Sequence, residues 1–331
     1  MLHATLRTTT AGALALTLVA GAAQAQVRLD LSSEIPPASI HAQMADFFAE
    51  AVAEESGGEV LITPHHGGAL GFRGADHFDA VADGAVDLAT SFGGGWVGIE
   101  PVFLVSSLPF LAPSLEENRL LYEASRPFYE EAFEANNQVM VFATPWPATG
   151  FFANKPLDSL EAMAGVRMRS YDAPSTATMA NLGASPLQLT WADTIPQLNT
   201  GAVDAVMTSA DAAVAASLWE QQSHFTEVNY AMPLQFVHMN RDVYQSLTDD
   251  QRAALHRAAE RTVDHAWSRL EAGVVEAYAT LEANGVTVIT DISPEFDAAL
   301  REAGQSSIDE WVARFGPGQE LLDSFFASLD N

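Results

Sequence analysis

The chain has 331 residues, a formal net charge of −28 from 43 acidic against 15 basic residues, and no cysteine. So acidic a surface excludes binding to nucleic acid and to anionic membranes, because both need a basic face. Without cysteine the chain has neither disulfides nor a lipid-modified N-terminal cysteine. Stability must therefore come from hydrophobic cores, and the length is typical of two domains.

Residues 1–25 have the pattern of a secretory signal peptide. Arg7 precedes an apolar run at residues 11–23, and Ala23-Gln24-Ala25 forms an A-x-A cleavage site. The run is too short to span a bilayer, and no later stretch is long enough. We therefore expect cleavage near Gln26, a mature chain outside the cytoplasm and no stable membrane insertion. The alternative is an uncleaved N-terminal anchor.

Strand and helix patterns alternate along the first part of the mature chain. The first helix pattern follows a candidate N-cap, Ser39, and stops at Gly57-Gly58. The predicted order is a strand at 27–37, a helix at 39–58, a strand at 59–66, a helix at 75–84 and a strand at 85–92. Such alternation is typical of a parallel sheet with helical crossovers.

The same alternation recurs in the second half of the chain. Predicted strands at 167–171, 186–190 and 202–209 flank predicted helices at 175–184 and 191–201. Pro196 lacks an N–H group, so it should kink the second of these helices or confine it to its second half. The chain therefore contains two similar series of strands and helices.

One tetrapeptide occurs at the same place in both series. Gly84-Ala85-Val86-Asp87 and Gly201-Ala202-Val203-Asp204 each join a predicted helix to a predicted strand, and an apolar run ending in Thr-Ser follows each. Common residues can repeat by chance, but the matching context on both sides favours two similar α/β lobes.

The longest predicted element is a helix from Asp249 to Asn284. Thr248 and Gln251 have the spacing of a capping box, and Asn284-Gly285 is a left-handed stop signal. At 1.5 Å per residue this helix is about 54 Å long, which exceeds the diameter of one small lobe. We therefore expect it to cross both lobes. A strand at 286–290 and further helices follow it.

Two arginines stand two residues apart in the first strand of the second series. Residues two apart in a strand point to the same face, so Arg167, Arg169 and Tyr171 share one face. Arg169 is nearer the carboxyl end, where open α/β sheets bind ligands, and a guanidinium matches a carboxylate in two parallel hydrogen bonds. Arg167 is expected to pair with a surface acid. The alternative is that both arginines are structural, paired with Asp172 or Asp193.

Aromatic residues near the ends of the predicted strands can supply the apolar walls of a ligand site. Trp96 follows a glycine triplet, Trp146 follows a predicted strand, and Trp191 begins a predicted helix. Phe151 and Phe152 lie at the expected joint between the lobes. Taken singly, each of these residues is more often a core or hinge residue than a ligand contact.

No group of residues indicates catalysis, a metal or a cofactor. The glycine-rich segment at 67–74 lacks the spacing and ending of a phosphate-binding loop. His65-His66 has no further ligand at metal-binding spacing. The chain has no G-x-S-x-G motif, and adjacent acidic pairs on the helices point apart.

Residues 165–209 resemble the DctP-type substrate-binding proteins of TRAP (tripartite ATP-independent periplasmic) transporters. The family pattern is G-x-K-[I/M]-R, a small-residue helix, G-A-x-P with an acid seven residues on, and L-x-x-G-x-V-D. The matching residues are Gly165, Met168, Arg169, Gly183, Ala184, Pro186, Asp193, Leu198, Gly201, Val203 and Asp204. The resemblance extends along most of the mature chain, including residues 246–255 and the long helix.

The resemblance implies an α/β fold with a two-lobed periplasmic-binding-protein architecture and a long helix spanning both lobes. Lobe I would comprise residues 26–148 and about 236–268, and lobe II residues 149–235 and about 269–331, with hinges near 147–151 and 233–237. It also implies a periplasmic protein that captures a small organic acid, clamps its carboxylate with Arg169 and delivers it to TRAP membrane permease subunits.

Two departures from the family pattern indicate a less polar ligand than the usual C4-dicarboxylate. Many members have a second ligand arginine in a G-F-R pattern and an asparagine in D-G-x-x-N, where this chain has Phe152 and Thr208. A monocarboxylate with an apolar portion would suit the aromatic residues, although Arg73 could still supply a second cation. The expected ligand contacts are Arg169, Trp146, Phe152, Trp96, Phe92, Arg73, Trp191, Thr208 and Tyr171.

Two other functions stay open on the sequence alone. A secreted α/β hydrolase would need a nucleophile–base pair or a metal, and a binding protein could instead serve a sensor or a different transporter class. A metal bridging ligand and protein is a further alternative. A monomer is expected, because the protein must open, close and dock.

Overall fold

The structure, a computed structural model, describes residues 26–329; the predicted signal peptide lies outside the described residues. The strands are β1 (Val27–Ser33), β2 (Val60–His65), β3 (Leu88–Phe92), β4 (Gln138–Pro145), β5 (Thr149–Ala153), β6 (Arg167–Ser170), β7 (Ser185–Gln188), β8 (Ala205–Ser209), β9 (His224–Thr226), β10 (Leu234–Asn240) and β11 (Thr287–Ile289). The helices are α1 (Ile40–Glu55), α2 (His77–Ala82), α3 (Leu115–Ala135), α4 (Leu160–Met163), α5 (Ala173–Asn181), α6 (Trp191–Asn199), α7 (Ala210–Ala215), α8 (Arg241–Ser246), α9 (Asp249–Ala283), α10 (Pro294–Arg314) and α11 (Gly318–Leu329). None of these helices is both long enough and apolar enough to cross a membrane.

The strands form two sheets, each the centre of one lobe. The lobe I sheet has the order β2-β1-β3-β10-β4, and the lobe II sheet has the order β11-β9-β5-β8-β6-β7. Read from opposite ends, the two sheets have the same plan. A parallel pair, β2-β1 or β7-β6, is followed by a third parallel strand, β3 or β8, and then by an antiparallel strand, β10 or β5. The prediction of two similar α/β lobes is confirmed.

The repeated tetrapeptide has the same structural role in both lobes, where its glycine follows a helix and its aspartate accepts a hydrogen bond from a neighbouring strand. Gly84 and Gly201 have φ of 72° and 70°, the left-handed region that favours glycine at the end of a helix. The carboxylate of Asp87 accepts a hydrogen bond from the N–H of Asp30 in β1 at 2.8 Å. The carboxylate of Asp204 accepts one from the N–H of Arg167 in β6 at 3.4 Å. Each aspartate thus ties the start of one parallel strand to its neighbour.

Helices cover both faces of each sheet, so successive side chains of the central strands are buried on one face and then on the other. In β10, Phe236 packs in the apolar cluster beneath α3, and Val237 packs in the cluster beneath α1 and α9. In β5, Phe151 and Phe152 divide in the same way between the two clusters of lobe II. Burial on both faces explains why these strands are almost continuously apolar in sequence.

The helix α9 spans both lobes, as predicted. Thr248 and Gln251 form the capping box, with the Gln251 N–H donating to Thr248 Oγ1 at 3.2 Å and the Thr248 N–H donating to Gln251 Oε1 at 3.0 Å. Leu255, near the start of the helix, lies in the lobe I core, and Leu281, near its end, lies in the lobe II core. One helix of 35 residues therefore contributes to two hydrophobic cores.

The C-terminal helices correct the predicted lobe boundary, which assigned all residues from about 269 to 331 to lobe II. Along α10, Phe296 packs in the lobe II core, but Trp311 packs in the lobe I core and donates from Nε1 to Pro101 O at 2.7 Å. The final helix, α11, packs against α3 in lobe I, with Phe325 fully buried. The end of the chain therefore returns to lobe I, where Trp311 and Phe325 are buried in the apolar cluster beneath α3.

Pro196 does not shorten α6, which runs continuously from Trp191 to Asn199. Proline in a helix removes one N–H donor, and the other residues of this short helix keep the helical conformation. Thr190 Oγ1 caps the start by accepting from the N–H of Asp193 at 3.3 Å. The expectation that the helix would be confined to its second half is therefore wrong.

A chain of buried hydrogen bonds crosses the lobe I sheet. Ser32 Oγ lies 2.9 Å from His77 Nε2, His77 Nδ1 lies 2.9 Å from Ser91 Oγ, and Ser91 Oγ lies 3.2 Å from His238 Nε2. His238 Nδ1 lies 2.6 Å from Gln138 Oε1, which can only accept. A single direction of donation along the chain satisfies every group with both imidazoles neutral. Burial lowers the pKa of His77 to about 4 and that of His238 well below its usual value.

We expect the neutral state of His77 to make folding stability pH-dependent. The unfolded imidazole takes up a proton below its usual pKa of 6.5, whereas the folded one does so only near 4. Stability contributed by this group is therefore present above pH 6.5 and lost as the pH falls. Urea unfolding should show that lowering the pH from about 6.5 to about 5 reduces the free energy of unfolding by roughly 2 kcal/mol more in the wild type than in His77→Gln. Equal losses in the two proteins would contradict this assignment.

Candidate functional site

A cavity of about 540 Å³ lies between the lobes, at the carboxyl ends of their parallel strands. Ligand sites in open α/β sheets form at this edge. Lobe I contributes Glu34, Ile35, Ser39, Gly74, Ala75, Phe92, Gly95, Trp146, Pro233 and Gln235. Lobe II contributes Thr149, Arg169, Tyr171, Gln188, Leu189, Thr190, Trp191, Thr208, Ser209, Ala212 and Ala215. The wall is mostly apolar with a few polar groups, as in small-molecule sites generally.

Arg169 is the only arginine or lysine in the wall, and only 6% of its surface is exposed. Its Nε–H donates to Leu189 O at 3.2 Å and its Nη1–H donates to Met207 O at 2.9 Å. Within residues 26–329 no carboxylate lies within 4.0 Å of the guanidinium, and Nη2 has no acceptor. Two carbonyls therefore fix the plane of the guanidinium, which makes no direct ion pair in the described part of the chain, although the charges of Asp172 and Glu34 act on it through space.

Arg167, on the same strand, has the role that was predicted for it. Its side chain is half exposed, and its Nε–H donates to Asp204 Oδ2 at 2.8 Å, outside the cavity. The alternative, in which both arginines pair with Asp172 or Asp193, is not what the structure shows. The strand alternation that put both arginines on one face holds, but only the one nearer the carboxyl end reaches the cavity.

Aromatic rings surround the Arg169 guanidinium. Its carbon Cζ lies 5.7 Å from the centre of the Tyr171 ring and 5.5 Å from that of Trp191. Such cation–π contacts stabilise a buried guanidinium without neutralising it. Across the cavity, Trp146 is fixed by a hydrogen bond from its Nε1–H to Gln235 Oε1 at 3.1 Å.

The wall contains a carboxylate, Glu34, that the sequence analysis missed. It follows β1 directly, and the carboxylate lies against Gly74, where a Cβ would come within 2.2 Å of Glu34 Oε1. Burial raises the pKa of Glu34, while the Gly74 N–H and the charges of Arg169 and Arg73 act in the opposite direction. Its position at the carboxyl end of a parallel strand, the signal used for Arg169, could have identified it.

A second missed residue is Ser39, before the first turn of α1. Its side chain is 2% exposed and lines the cavity, yet Oγ has no hydrogen-bond partner among the described residues and does not cap the helix. A buried hydroxyl without a partner is costly unless a ligand or water supplies one. The polar wall of lobe I thus offers both a carboxylate and a hydroxyl.

Two residues expected at the site do not line the cavity. Trp96 points into the lobe I core, where its ring centre lies 5.1 Å from that of Phe78, because the turn after β3 exposes Gly95 to the cavity instead. Phe152 is fully buried in the lobe II core, and of the β5 residues only Thr149 lines the cavity. Five residues of the expected set do line the wall with Arg169: Trp146, Phe92, Trp191, Thr208 and Tyr171.

Arg73, the expected second cation, lies beside the cavity and not in its wall. Its Nη1 lies 3.3 Å from Asp193 Oδ2, so this ion pair joins lobe I to lobe II. A second contact between the lobes runs from the Ile40 N–H at the start of α1 to the Asp211 carboxylate of α7, at 3.5 Å. The lobes are therefore joined by at least these two polar contacts.

Within residues 26–329 no group of three or more histidines, aspartates or glutamates is arranged to hold a metal ion. The hydrogen-bonded serines and histidines in the lobe I core, Ser32, His77 and Ser91, do not line the cavity. The polar groups that line the cavity include Arg169, Glu34 and the surrounding hydroxyls, which can recognise polar and charged groups of a ligand.

A sequence model of the bacterial extracellular solute-binding protein family 7, DctP, matches residues 31–314. The chain belongs to this family. Its members are the substrate-binding proteins of TRAP transporters, which bind small ligands and work with membrane permeases. The family and the two-lobed α/β fold predicted from the sequence are confirmed.

Two curated relatives illustrate the range of the family. The ectoine-binding periplasmic protein TeaA of Halomonas elongata is 22% identical over 86% of both chains. The sialic acid-binding periplasmic protein SiaP of Vibrio cholerae is 23% identical over 91% of this chain and 94% of its own. Both relatives align along nearly the whole chain while differing in ligand.

Two solved structures share the fold at higher sequence identity. DctP7 of Bordetella pertussis, a receptor binding pyroglutamic acid, superposes with a TM-score of 0.87 at 27% identity, covering 90% of this chain and 99% of its own. A marine metagenome TRAP solute-binding protein specific for pyroglutamate superposes with a TM-score of 0.86 at 29% identity, covering 91% and 99%.

We expect the Arg73–Asp193 pair to favour the closed arrangement of the ligand-free protein. Both side chains are about half exposed, so the pair is worth only about 0.2–1 kcal/mol. Arg73→Ala should raise the radius of gyration measured by X-ray scattering at low salt, and high salt should remove the difference. Arg126→Ala is the control, because it breaks an ion pair of similar exposure within α3. An equal effect of both substitutions would refute a role in closure.

Proposed function

We propose that this protein captures a small organic acid in the periplasm, binds its carboxylate with Arg169 and delivers it to the permease subunits of a TRAP transporter. One observation carries the proposal: a buried guanidinium in the wall of a cavity between two lobes, without a carboxylate partner among the described residues. Membership of the family supports the transport role, and the predicted signal peptide supports the location.

The energetics of the guanidinium favour an anionic ligand. Burial lowers the pKa of Arg169 to about 10, so the group is still protonated at neutral pH. A buried charge without a counter-charge is unfavourable, and a ligand carboxylate would supply both the missing charge and an acceptor for Nη2. Because Nε and Nη1 are already bonded to carbonyls, the guanidinium is oriented before the ligand binds. Such preorganisation reduces the entropy lost on binding.

The size and lining of the cavity favour a small ligand with an apolar portion. A volume of about 540 Å³ lies within the usual range for small-molecule sites. Trp146, Trp191, Phe92 and Tyr171 supply flat apolar surfaces around the polar anchors. Pyroglutamate, which the two structural relatives described above bind, has this character and is the first probe to use.

Delivery to a permease distinguishes this function from service to a sensor. Uptake of the ligand by cells should then require both this protein and a TRAP permease, whereas a sensor partner would leave uptake unchanged when this protein is deleted.

Sequencing the N-terminus of the secreted protein would test the expected cleavage of the signal peptide near Gln26.

We expect Arg169→Ala to weaken the binding of a carboxylate ligand by about 2–5 kcal/mol, because one partner of a desolvated charge pair is removed. Calorimetry with the best ligand from a thermal-shift screen of organic acids, pyroglutamate included, would measure the change. Arg169→Lys keeps the charge but loses the planar fork, so its loss should be smaller.

The matched control is Arg167→Ala, which removes an arginine of the same strand that pairs with Asp204 outside the cavity. Its affinity should equal that of the wild type. Unchanged affinity in a folded Arg169→Ala protein would refute the role assigned to this residue. The absence of any organic acid that raises the melting temperature would refute the proposed ligand class.

A further inference from the structure

Two opposite charges face the cavity from different lobes. Among the residues that line it, Glu34 of lobe I is the only acid and Arg169 of lobe II is the only base. Each affects the pKa of the other, yet no salt bridge joins them. The two groups therefore interact through space without forming an ion pair, and both line the same cavity.

The Glu34 carboxylate has no donor side chain among the described residues. The backbone N–H of Gly74 is the one hydrogen-bond donor that influences it. Gly74 also lets the chain pass so close that any side chain at this position would collide with the carboxylate. A carboxylate can accept about four hydrogen bonds, so most of its accepting capacity is directed to the cavity or left unused.

Arg73 does not neutralise Glu34 by direct contact, because its guanidinium pairs with Asp193 outside the cavity wall. A ligand with two carboxylates would therefore place its second negative charge in a cavity that already contains a buried carboxylate. Like charges in a desolvated site repel strongly, and one of them must be protonated for both to fit. Glu34 thus disfavours a dicarboxylate and favours a hydrogen-bond donor.

We propose that Glu34 selects the ligand: this site takes monocarboxylates that carry an N–H donor, with the carboxylate on Arg169 and the N–H on Glu34. This inference rests on the proposed function, since it assumes that Arg169 binds the carboxylate. A ligand of this kind bridges lobe I and lobe II through its two polar ends. The same two contacts that select it therefore also hold the lobes together.

Two pairs of ring compounds test the selection, since each pair exchanges a nitrogen donor for an oxygen. One pair is pyroglutamate and 5-oxotetrahydrofuran-2-carboxylate, and the other is proline and tetrahydrofuran-2-carboxylate. The donor is a neutral amide N–H in the first pair and a protonated NH2+ group, which adds a positive charge, in the second. Succinate serves as the dicarboxylate. Affinities are measured by calorimetry for the wild type and for Glu34→Gln, which keeps the shape of the side chain and removes its charge. Asp76→Asn is the control, because it removes a nearby charge that influences Glu34 without lining the cavity.

In the wild type, the N–H member of at least one pair should bind at least about tenfold more tightly than its oxygen partner. This ratio is the one expected when a hydrogen bond to a charged group is lost. Glu34→Gln should reduce that preference to about twofold or less and strengthen succinate binding. Asp76→Asn should keep the preference.

The outcomes separate this inference from the proposed function. If the oxygen compounds or succinate bind the wild type as tightly as the N–H compounds, the role of Glu34 is overturned while carboxylate capture stands. The role of Glu34 is also overturned if a folded Glu34→Gln protein keeps the preference for the N–H compounds. If no carboxylate of the set, and none in the wider screen, binds the wild type, the proposed function itself fails.

Discussion

A buried guanidinium that forms no ion pair within residues 26–329 is the constraint on which this molecule depends. Arg169 is held by two carbonyl oxygens and faced by two aromatic rings, but no carboxylate of the described chain pairs with it. These carbonyls and rings stabilise the charge, and the cavity beside it leaves room for a ligand. The desolvation of this one side chain is the physical basis of the proposed binding of an anionic ligand.

The fold places that charge where the movement of two lobes can enclose it. The segments that cross between the lobes are hydrogen-bonded to each other, with the Trp146 N–H donating to Pro233 O at 2.8 Å and the Thr149 N–H donating to Ala231 O at 3.0 Å. The helices α9 and α10 cross as well, each with side chains in both cores. These connections are the segments at which a hinge motion of the two lobes would have to occur.

Local signals in the sequence predicted most of the fold because they act over a few residues. The capping box at Thr248, the left-handed glycine at 201 and the strand alternation around Arg169 all depend on neighbouring residues alone. Predictions failed where distant packing decides the outcome. The direction of Trp96 and the return of α11 to lobe I depend on apolar surfaces contributed by segments far away in sequence.

The sequence by itself determined the family, the two α/β lobes, the helix that spans them and the arginine at the carboxyl end of β6. Each of these follows from residue type and spacing, which fix backbone preference and the face that a side chain occupies. Only the tertiary structure decided that Glu34 and Arg169, from different lobes, line the same cavity while Phe152 is buried in a core. Which groups share a cavity between two lobes depends on how separate sheets pack against each other, and no local sequence pattern encodes that packing.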